Sequence, residues 1–426
     1  MRKSFLFAAA LAGVLSSCSS DDAIEAGGGA GNVDGRMPIE INLAQSSSVT
    51  TRGTGTVGDT VGGNVQNNWA SQAIKVYMFD KNTLTTAKDA DGAEIYNNYD
   101  FVAPATGSTG LALAEDQSVK YYPAMGTFDF IGYRIDNAAA TTDEPTLNAT
   151  SDSLQIGITI DGSQDIMSAG ALLSEEKGPE LVGEGVDTAR VYSAYAKRKG
   201  VDPTLVFKHL LSRLTFNVVA GNQDATGTAD GTMKAVQIDS IKVISKNKGV
   251  LTVATSNGYH TVPGGLVFSS EKDSLTLMQR KADDTDKNKD LEKLASVPLT
   301  WNEGESKGNV LKVGEALLVA PDKEYEVVIF ASQEVKTGVD DEVPAQDVIE
   351  KKKMELNDVI KLSGEPAAAG FLAGSSYNVT ITVYGLSKID INTELTPWEN
   401  GGEIELDPVD NPNKPTADEE EGTEEP

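Results

Sequence analysis

Cysteine is almost missing from this chain: Cys18 is the single one in 426 residues. An internal disulfide is therefore excluded, and with Cys18 engaged elsewhere no thiolate remains for catalysis or metal binding. Histidine is scarce as well. His209 and His260 are the two present, and neither has a second histidine or a cysteine near it, which excludes zinc sites of the usual ligand count. Positive charge is in deficit, with 36 Lys and Arg against 64 Asp and Glu, a formal net charge of −28. Nucleic acid and anionic lipid headgroups gain nothing from such a surface. Aromatic residues make up 6% of the chain. Trp69, Trp301 and Trp398 lie in distant segments, so the sequence shows no clustered platform for stacking sugar rings. No apolar run approaches the roughly 20 residues that cross a bilayer as a helix.

What is present begins with a leader. Met1-Arg2-Lys3, the apolar run from Phe5 to Leu15, and Ser16-Ser17-Cys18 have the layout of a secretion signal over residues 1–17. The small residues before Cys18 resemble the lipobox of bacterial lipoproteins, which implies a lipid on the Cys18 sulfur. Ser19 to Gly35 is small, polar and Gly-rich, a tether with too little apolar matter to offset its ordering entropy. Ile39-Glu40-Ile41-Asn42-Leu43 alternates with the period of a half-buried strand. A polar link follows from Gln45 to Asn68 and contains Arg52-Gly53.

Beyond Trp69 the chain becomes a series of short apolar runs divided by Gly, Pro, Asn and Asp. Ile74 to Phe79, Phe128 to Tyr133, Leu154 to Ile160, Leu214 to Val219, Val236 to Ile244, Val327 to Phe330 and Tyr377 to Tyr384 favour β-branched and aromatic residues. Nothing comparable recurs at helical spacing, although a short helix is expected around Asp290 to Leu294. Such a pattern predicts an all-β protein of antiparallel sandwiches. Length suggests two in tandem. The expected division is a tether and leader strand over 18–52, a first sandwich over 53–265, a second over 266–406, and an acidic tail over 407–426. That tail holds Asp407, Asp410, Asp418, Glu419, Glu420, Glu421, Glu424 and Glu425 against Lys414 alone, a composition that solvates and does not pack.

The search for chemistry ends without a catalytic constellation. Gly53-Thr54-Gly55-Thr56-Val57-Gly58 matches the dinucleotide fingerprint in letters but lacks the strand before it and the helix after it that the chemistry needs. Asp89, Asp91, Gly92 and Glu94 form one acidic stretch, and Asp284, Asp286, Asn288 and Asp290 another. The second has Lys289 where a calcium loop turns on glycine and Ala295 where it needs a bidentate glutamate. Ser174-Glu175-Glu176-Lys177 lacks the companion elements of a Ser-x-x-Lys nucleophile, and no Gly-x-Ser-x-Gly elbow occurs. His209, within Phe207-Lys208-His209-Leu210-Leu211, reads as a packed, hydrogen-bonded ring between strands. No cofactor, no metal site and no enzymatic activity are expected.

Several segments, taken in order, resemble the fimbrillins, the lipoprotein precursors of the type V pili of Bacteroidales. They are Tyr121-Tyr122-Pro123 with Phe128-Asp129-Phe130, Asp165-Ile166-Met167-Ser168-Ala169, Phe207 through Phe216, and Gly374 through Trp398. The resemblance runs from Cys18 to about Leu406. It implies two transthyretin-like antiparallel β-sandwich domains, lipid anchoring in the outer membrane, and maturation by an arginine-specific protease that removes the first strand. The matching cut lies between Arg52 and Gly53, downstream of the leader strand with Ile39, Ile41 and Leu43. Arg36 is a second exposed arginine, and cutting there would spare that strand. Other pilin subunits are the implied partners, joined by a C-terminal strand that replaces the lost one. Two alternating segments qualify as donors, one carrying Ile389 and Ile391, the other Ile404 and Leu406. Ser19-Ser20-Asp21-Asp22 resembles surface-export signals of Bacteroidota lipoproteins. The resemblance thus implies a structural subunit of an adhesive surface pilus. A surface glycan-binding lipoprotein of a nutrient-uptake system is the alternative from another class, and a lipid-anchored hydrolase the weakest.

Overall fold

The computed structural model describes residues 35–43, 60–61, 64–65, 72–103, 110–115, 117–136, 139–171, 192–256, 265–280, 291–301, 308–337, 348–362, 370–386 and 388–396. Strands dominate them, in agreement with the all-β expectation. The strands form where β-branched and aromatic residues alternate with polar ones, a side-chain pattern that suits a pleated, half-buried surface. In Ser376–Tyr384, Tyr377, Val379, Ile381 and Val383 are buried while Asn378, Thr380 and Thr382 are only partly so.

A six-stranded sheet runs in the order Lys208–His209, Ile166–Gly170, Phe128–Ile135, Ala73–Asp80, Tyr99–Val102, Ala112–Leu113, and every neighbouring pair is antiparallel. Its central strands are buried on both faces. Ile74, Val76, Met78, Phe128 and Phe130 point into a smaller hydrophobic core, whereas Tyr77, Phe79, Ile131 and Tyr133 belong to a larger one. This explains the near-continuous apolar run from Phe128 to Tyr133, since a strand covered on both sides has no polar face to show.

The larger core also lies within two sheets toward the C-terminus. One is Leu311–Val319, Ser212–Ala220, Ser376–Tyr384, Lys388–Thr396; the other contains Lys272–Thr276, Gln237–Lys246, Tyr325–Thr337 and Val348–Ile360. Leu214, Phe216, Val379 and Ile381 from the first join Ile241, Val243, Val327 and Ile329 from the second. A further sheet, Leu266–Phe268, Lys248–Thr255, Ser153–Thr159, Thr146–Asn148, adds Leu251, Ile156 and Ile158 to the same core.

Three details depart from a simple reading of the sequence. Ser212–Ala220 pairs with Ser376–Tyr384 in parallel, a long-range closure that no local turn signal announces. The break in alternation between Ile238 and Ile241 is a β-bulge between Ile238 and Ser240, where one extra residue resets the face of the strand. The helix expected around Asp290 to Leu294 is instead a strand, Leu291–Lys293, paired with Met278–Arg280. The Gln279 side chain supports that pairing, donating to Glu292 Oε1 at 3.0 Å and accepting from the Ala295 amide at 2.8 Å. So short a segment cannot hold a helix on local hydrogen bonds, and cross-strand pairing decides its form. An α-helix does lie elsewhere, at Ala194–Arg198.

Gln237–Lys246 and Lys248–Thr255 are separated by Asn247 alone, yet they join different sheets. Both Ser212–Ala220 and Gln237–Lys246 lie before residue 265 in sequence but pair with strands from the second half of the chain.

Candidate functional site

Residues 37–43 form the most distinctive local arrangement. The segment lies between two parts of the chain that are remote from it in sequence. On one side the Tyr122 amide donates to the Met37 carbonyl at 2.9 Å, the Ile39 amide to the Lys120 carbonyl at 2.9 Å, and the Leu111 amide to the Ile41 carbonyl at 2.8 Å. On the other, the Asn42 amide donates to the Pro203 carbonyl at 2.8 Å, and Asn42–Leu43 pairs in parallel with Thr204–Leu205.

Side chains alternate as the sequence predicts. Ile39, Ile41 and Leu43 are 5%, 2% and 0% exposed and belong to the smaller core, while Glu40 faces outward. Full burial of each aliphatic side chain contributes about 1.5–3 kcal/mol. The core they complete is rich in rings: Tyr96, Phe101, Tyr122, Phe128, Phe130 and Tyr192. Tyr122 and Phe130 meet edge to face at 6.1 Å between centroids, as do Phe130 and Tyr192 at 5.7 Å. Burial raises the Tyr96 and Tyr122 phenols above their ordinary value, so these rings stay neutral.

Lys197 lies across the outer side of the segment. Its helix is capped by Ser193, whose side chain accepts from the Ala196 amide at 3.1 Å, and Lys197 Nζ donates to Glu40 Oε2 at 2.6 Å and to Asp202 Oδ1 at 2.7 Å. Burial opposes the Lys197 charge, but the hydrogen bonds to Asp202 and Glu40 outweigh it and hold the ammonium above its ordinary value. Burial also lifts the Asp202 carboxyl above the usual range, against the pull of Lys197. Sequence reasoning did not single out Lys197 or Asp202. A lysine four residues after a capping serine is a common surface pattern, and the contact with Glu40 exists only once the segment is docked.

The donor candidates lie in two situations. Ile389 and Ile391 are in the edge strand Lys388–Thr396, in register opposite Val383 and Ile381, half-buried against the larger core. Ile404 and Leu406 lie outside the described residues, as do Cys18, Arg52 and Gly53. So do the Gly53 to Gly58 motif, His260, Ser174 to Lys177, the acidic stretch from Asp284 to Asp290, Trp69 and Trp398. Arg36 is described, exposed, with its guanidinium 4.8 Å from the centre of the Tyr121 ring.

His209 is packed as expected. Its Nδ1 lies 2.8 Å from Asp165 Oδ2, and both groups are buried with Arg134, Asp136 and Gln72 at one end of the six-stranded sheet. Arg134 donates to Gln72 Oε1 at 2.7 Å and pairs with Asp136. Burial works against the Asp165 charge, but His209 and Arg134 prevail and hold its carboxyl below the ordinary value. Burial raises that of Asp136 despite Arg134. A charge cluster sealed in this way offers no path to a substrate. The acidic stretch at Asp89 is a turn: Asp89 Oδ1 accepts from the Asp91 and Ala93 amides at 3.0 and 2.9 Å, with Gly92 at φ +81°.

The described residues thus form an all-β molecule whose first described segment fills a seam in its own core. The family model described as fimbrillin-like matches residues 61–398. This chain belongs to the fimbrillin-like family, and its role is that of a pilus subunit, exposed on the cell surface as part of a fimbria, and not that of an enzyme. No curated protein matches it.

Among solved structures it is similar to a candidate cell adhesion protein of Bacteroides uniformis, at 15% identity and a TM-score of 0.40, covering 86% of this chain and 99% of that one. It is also similar to the fimbrial anchor protein Mfa2 of Porphyromonas gingivalis, at 11% identity and a TM-score of 0.30, covering 85% and 100%. A fimbrial assembly protein of Parabacteroides distasonis shares 12% identity at a TM-score of 0.26, covering 85% and 99%.

Proposed function

We propose that this chain is made as a lipoprotein precursor, anchored through Cys18 to the outer membrane, and becomes a pilus subunit when an arginine-specific protease cuts between Arg52 and Gly53. The observation that carries this reading is the position of residues 37–43. They complete the smaller core with Ile39, Ile41 and Leu43, and they lie upstream of Arg52, so that cut severs them from the body of the protein. Their departure leaves an apolar seam and backbone groups at Pro203, Lys120, Leu111 and Tyr122 without partners, a state that favours capture of another strand.

A C-terminal strand of a second subunit fills the seam by β-augmentation. Such a head-to-tail contact does not close on itself and therefore grows a filament. The precursor segment acts as a block that keeps the subunit monomeric during export. The resulting fibre supports adhesion. Within this reading the body consists of two sandwiches whose sheets exchange strands across Asn247, with the acidic tail of residues 407–426 trailing outside the seam.

Intact mass and terminal sequencing of the surface-exposed protein, with and without an inhibitor of arginine-specific proteases, test the proposal. A free Gly53 that gives way under the inhibitor to a lipidated Cys18 form is the expected result. A lipidated Cys18 in both samples would leave the segment in place and overturn maturation by cleavage.

A further inference from the structure

We propose that the peptide bond between Arg36 and Met37 is a second cleavage site for an arginine-specific protease, closed while residues 37–43 are docked and open once they leave the seam. The inference rests on the maturation reading above and deepens it by explaining why this upstream arginine does not compete with Arg52 in the folded precursor.

Arg36 is exposed and stands at the start of the docked segment, so its side chain alone is what such a protease reads. The enzyme must also take the residues that follow the bond into its cleft in extended form, where their backbone groups pair with its own. Here those groups are already engaged. The Met37 carbonyl accepts from the Tyr122 amide at 2.9 Å, and the Ile39 amide donates to the Lys120 carbonyl at 2.9 Å. Between them Pro38 lies opposite Tyr121 in an antiparallel bridge. Met37 packs half-buried against the smaller core, and Ile39 is 5% exposed. The Arg36 guanidinium lies 4.8 Å from the centre of the Tyr121 ring, but a contact of that kind at an exposed site is weak. Backbone pairing is therefore the main barrier.

Hydrolysis adds water across the bond and leaves a carboxylate on Arg36 and an amine on Met37. In the docked state this cut would part the protein from Cys18 while Ile39, Ile41 and Leu43 stayed in the seam, releasing a subunit whose groove is still filled. The contacts that fill the seam thus also hide the bond whose early cleavage is unproductive. A protease that acts on a transiently opened form works at a rate set by the population of that form, so cutting at Arg36 reports how often the segment leaves. Once the downstream cut has freed the segment, the site is open.

The test follows new N-termini by mass spectrometry in full-length chain carrying Arg52→Gln, treated with an arginine-specific protease. A synthetic peptide of residues 32–44 is the unhindered reference, and it also accounts for Pro38, which has no N–H to offer the enzyme. The folded chain is cut at Arg36 about a hundredfold or more slowly than the peptide, and Ile41→Ala raises that rate about tenfold or more. Arg134 and Arg213, each 4% exposed, serve as reporters of global unfolding and stay uncut when Met37 first appears. Should Ile41→Ala expose them, the smaller truncation Ile39→Val takes its place. In wild type, Gly53 appears first and the peptide from Met37 to Arg52 later.

Cutting of the folded Arg52→Gln chain at the rate of the peptide, a rate unmoved by the core truncations, or Met37 as the first terminus of wild type would each overturn the inference and leave maturation at Arg52 standing. Wild type that yields no Gly53 would overturn the maturation reading, and the Arg52→Gln rates would still decide this one.

Discussion

At the scale of single residues, the buried cluster around His209 is a stability device with a calculable pH signature. Asp165 is 1% exposed and is held by His209 and Arg134, so Asp165→Asn leaves two cationic or polar partners short of an anion. A loss of about 3–5 kcal/mol is expected at neutral pH, the usual cost of breaking a buried pair. Because the folded carboxyl lies below its ordinary value of 3.8, its contribution is present above that value and disappears as pH falls through the folded one. Urea unfolding of wild type and variant should therefore diverge at pH 7 and converge in strong acid. Gly132 is a second such residue. A Cβ there would meet Leu205 Cδ1 and Phe207 Cζ, each at 2.9 Å, and Leu205 is the parallel partner of Leu43. Gly132→Ala should cost about 1–3 kcal/mol by overpacking and should loosen the hold on residues 37–43, visible as faster amide exchange at Leu43.

At the scale of elements, the segment over 37–43 acts through the smaller core that it completes. Leu43→Ala in the uncut chain removes a side chain that is 0% exposed, with an expected loss of about 2–5 kcal/mol. If the proposed cut between Arg52 and Gly53 releases the segment, thermal melts of the cut protein should be the same whether it was made from wild type or from Leu43→Ala; a segment that stays bound after cutting would carry the difference over. The sequence made this strand legible through the alternation of Ile39, Ile41 and Leu43. It did not make legible what the strand docks against. What it docks against includes only two-residue strands, Ala112–Leu113 and Thr204–Leu205, and a partner too short for its own periodicity gives no signal until the chain brings it near. The failed helix at Leu291–Lys293 has the same cause, since its strand partner Met278–Arg280 lies across a gap in sequence.

At the scale of the whole molecule, the net charge of −28 means that identical subunits repel one another before they meet. Growth of the cut protein should therefore speed up as salt rises from about 10 to 150 mM, where the screening length falls from roughly 30 to 8 Å. Removing residues 407–426, which carry eight acidic residues against Lys414, should produce the same acceleration at low salt and little change at high salt, measured by light scattering. Long-range repulsion of this kind acts on encounter, before any strand docks.

Composition and periodicity alone determined the all-β class, the lack of disulfide and thiolate chemistry, the alternating first strand and the packed role of His209, because each depends on residue type and near-neighbour spacing. Tertiary structure decided the parallel closure of Ser212–Ala220 on Ser376–Tyr384, the two-sided burial of Phe128–Ile135, and the meeting of Glu40 with Lys197 and Asp202. These join residues far apart in the chain, and their energies exist only when backbone pairing has excluded water and fixed which side of each strand faces which neighbour.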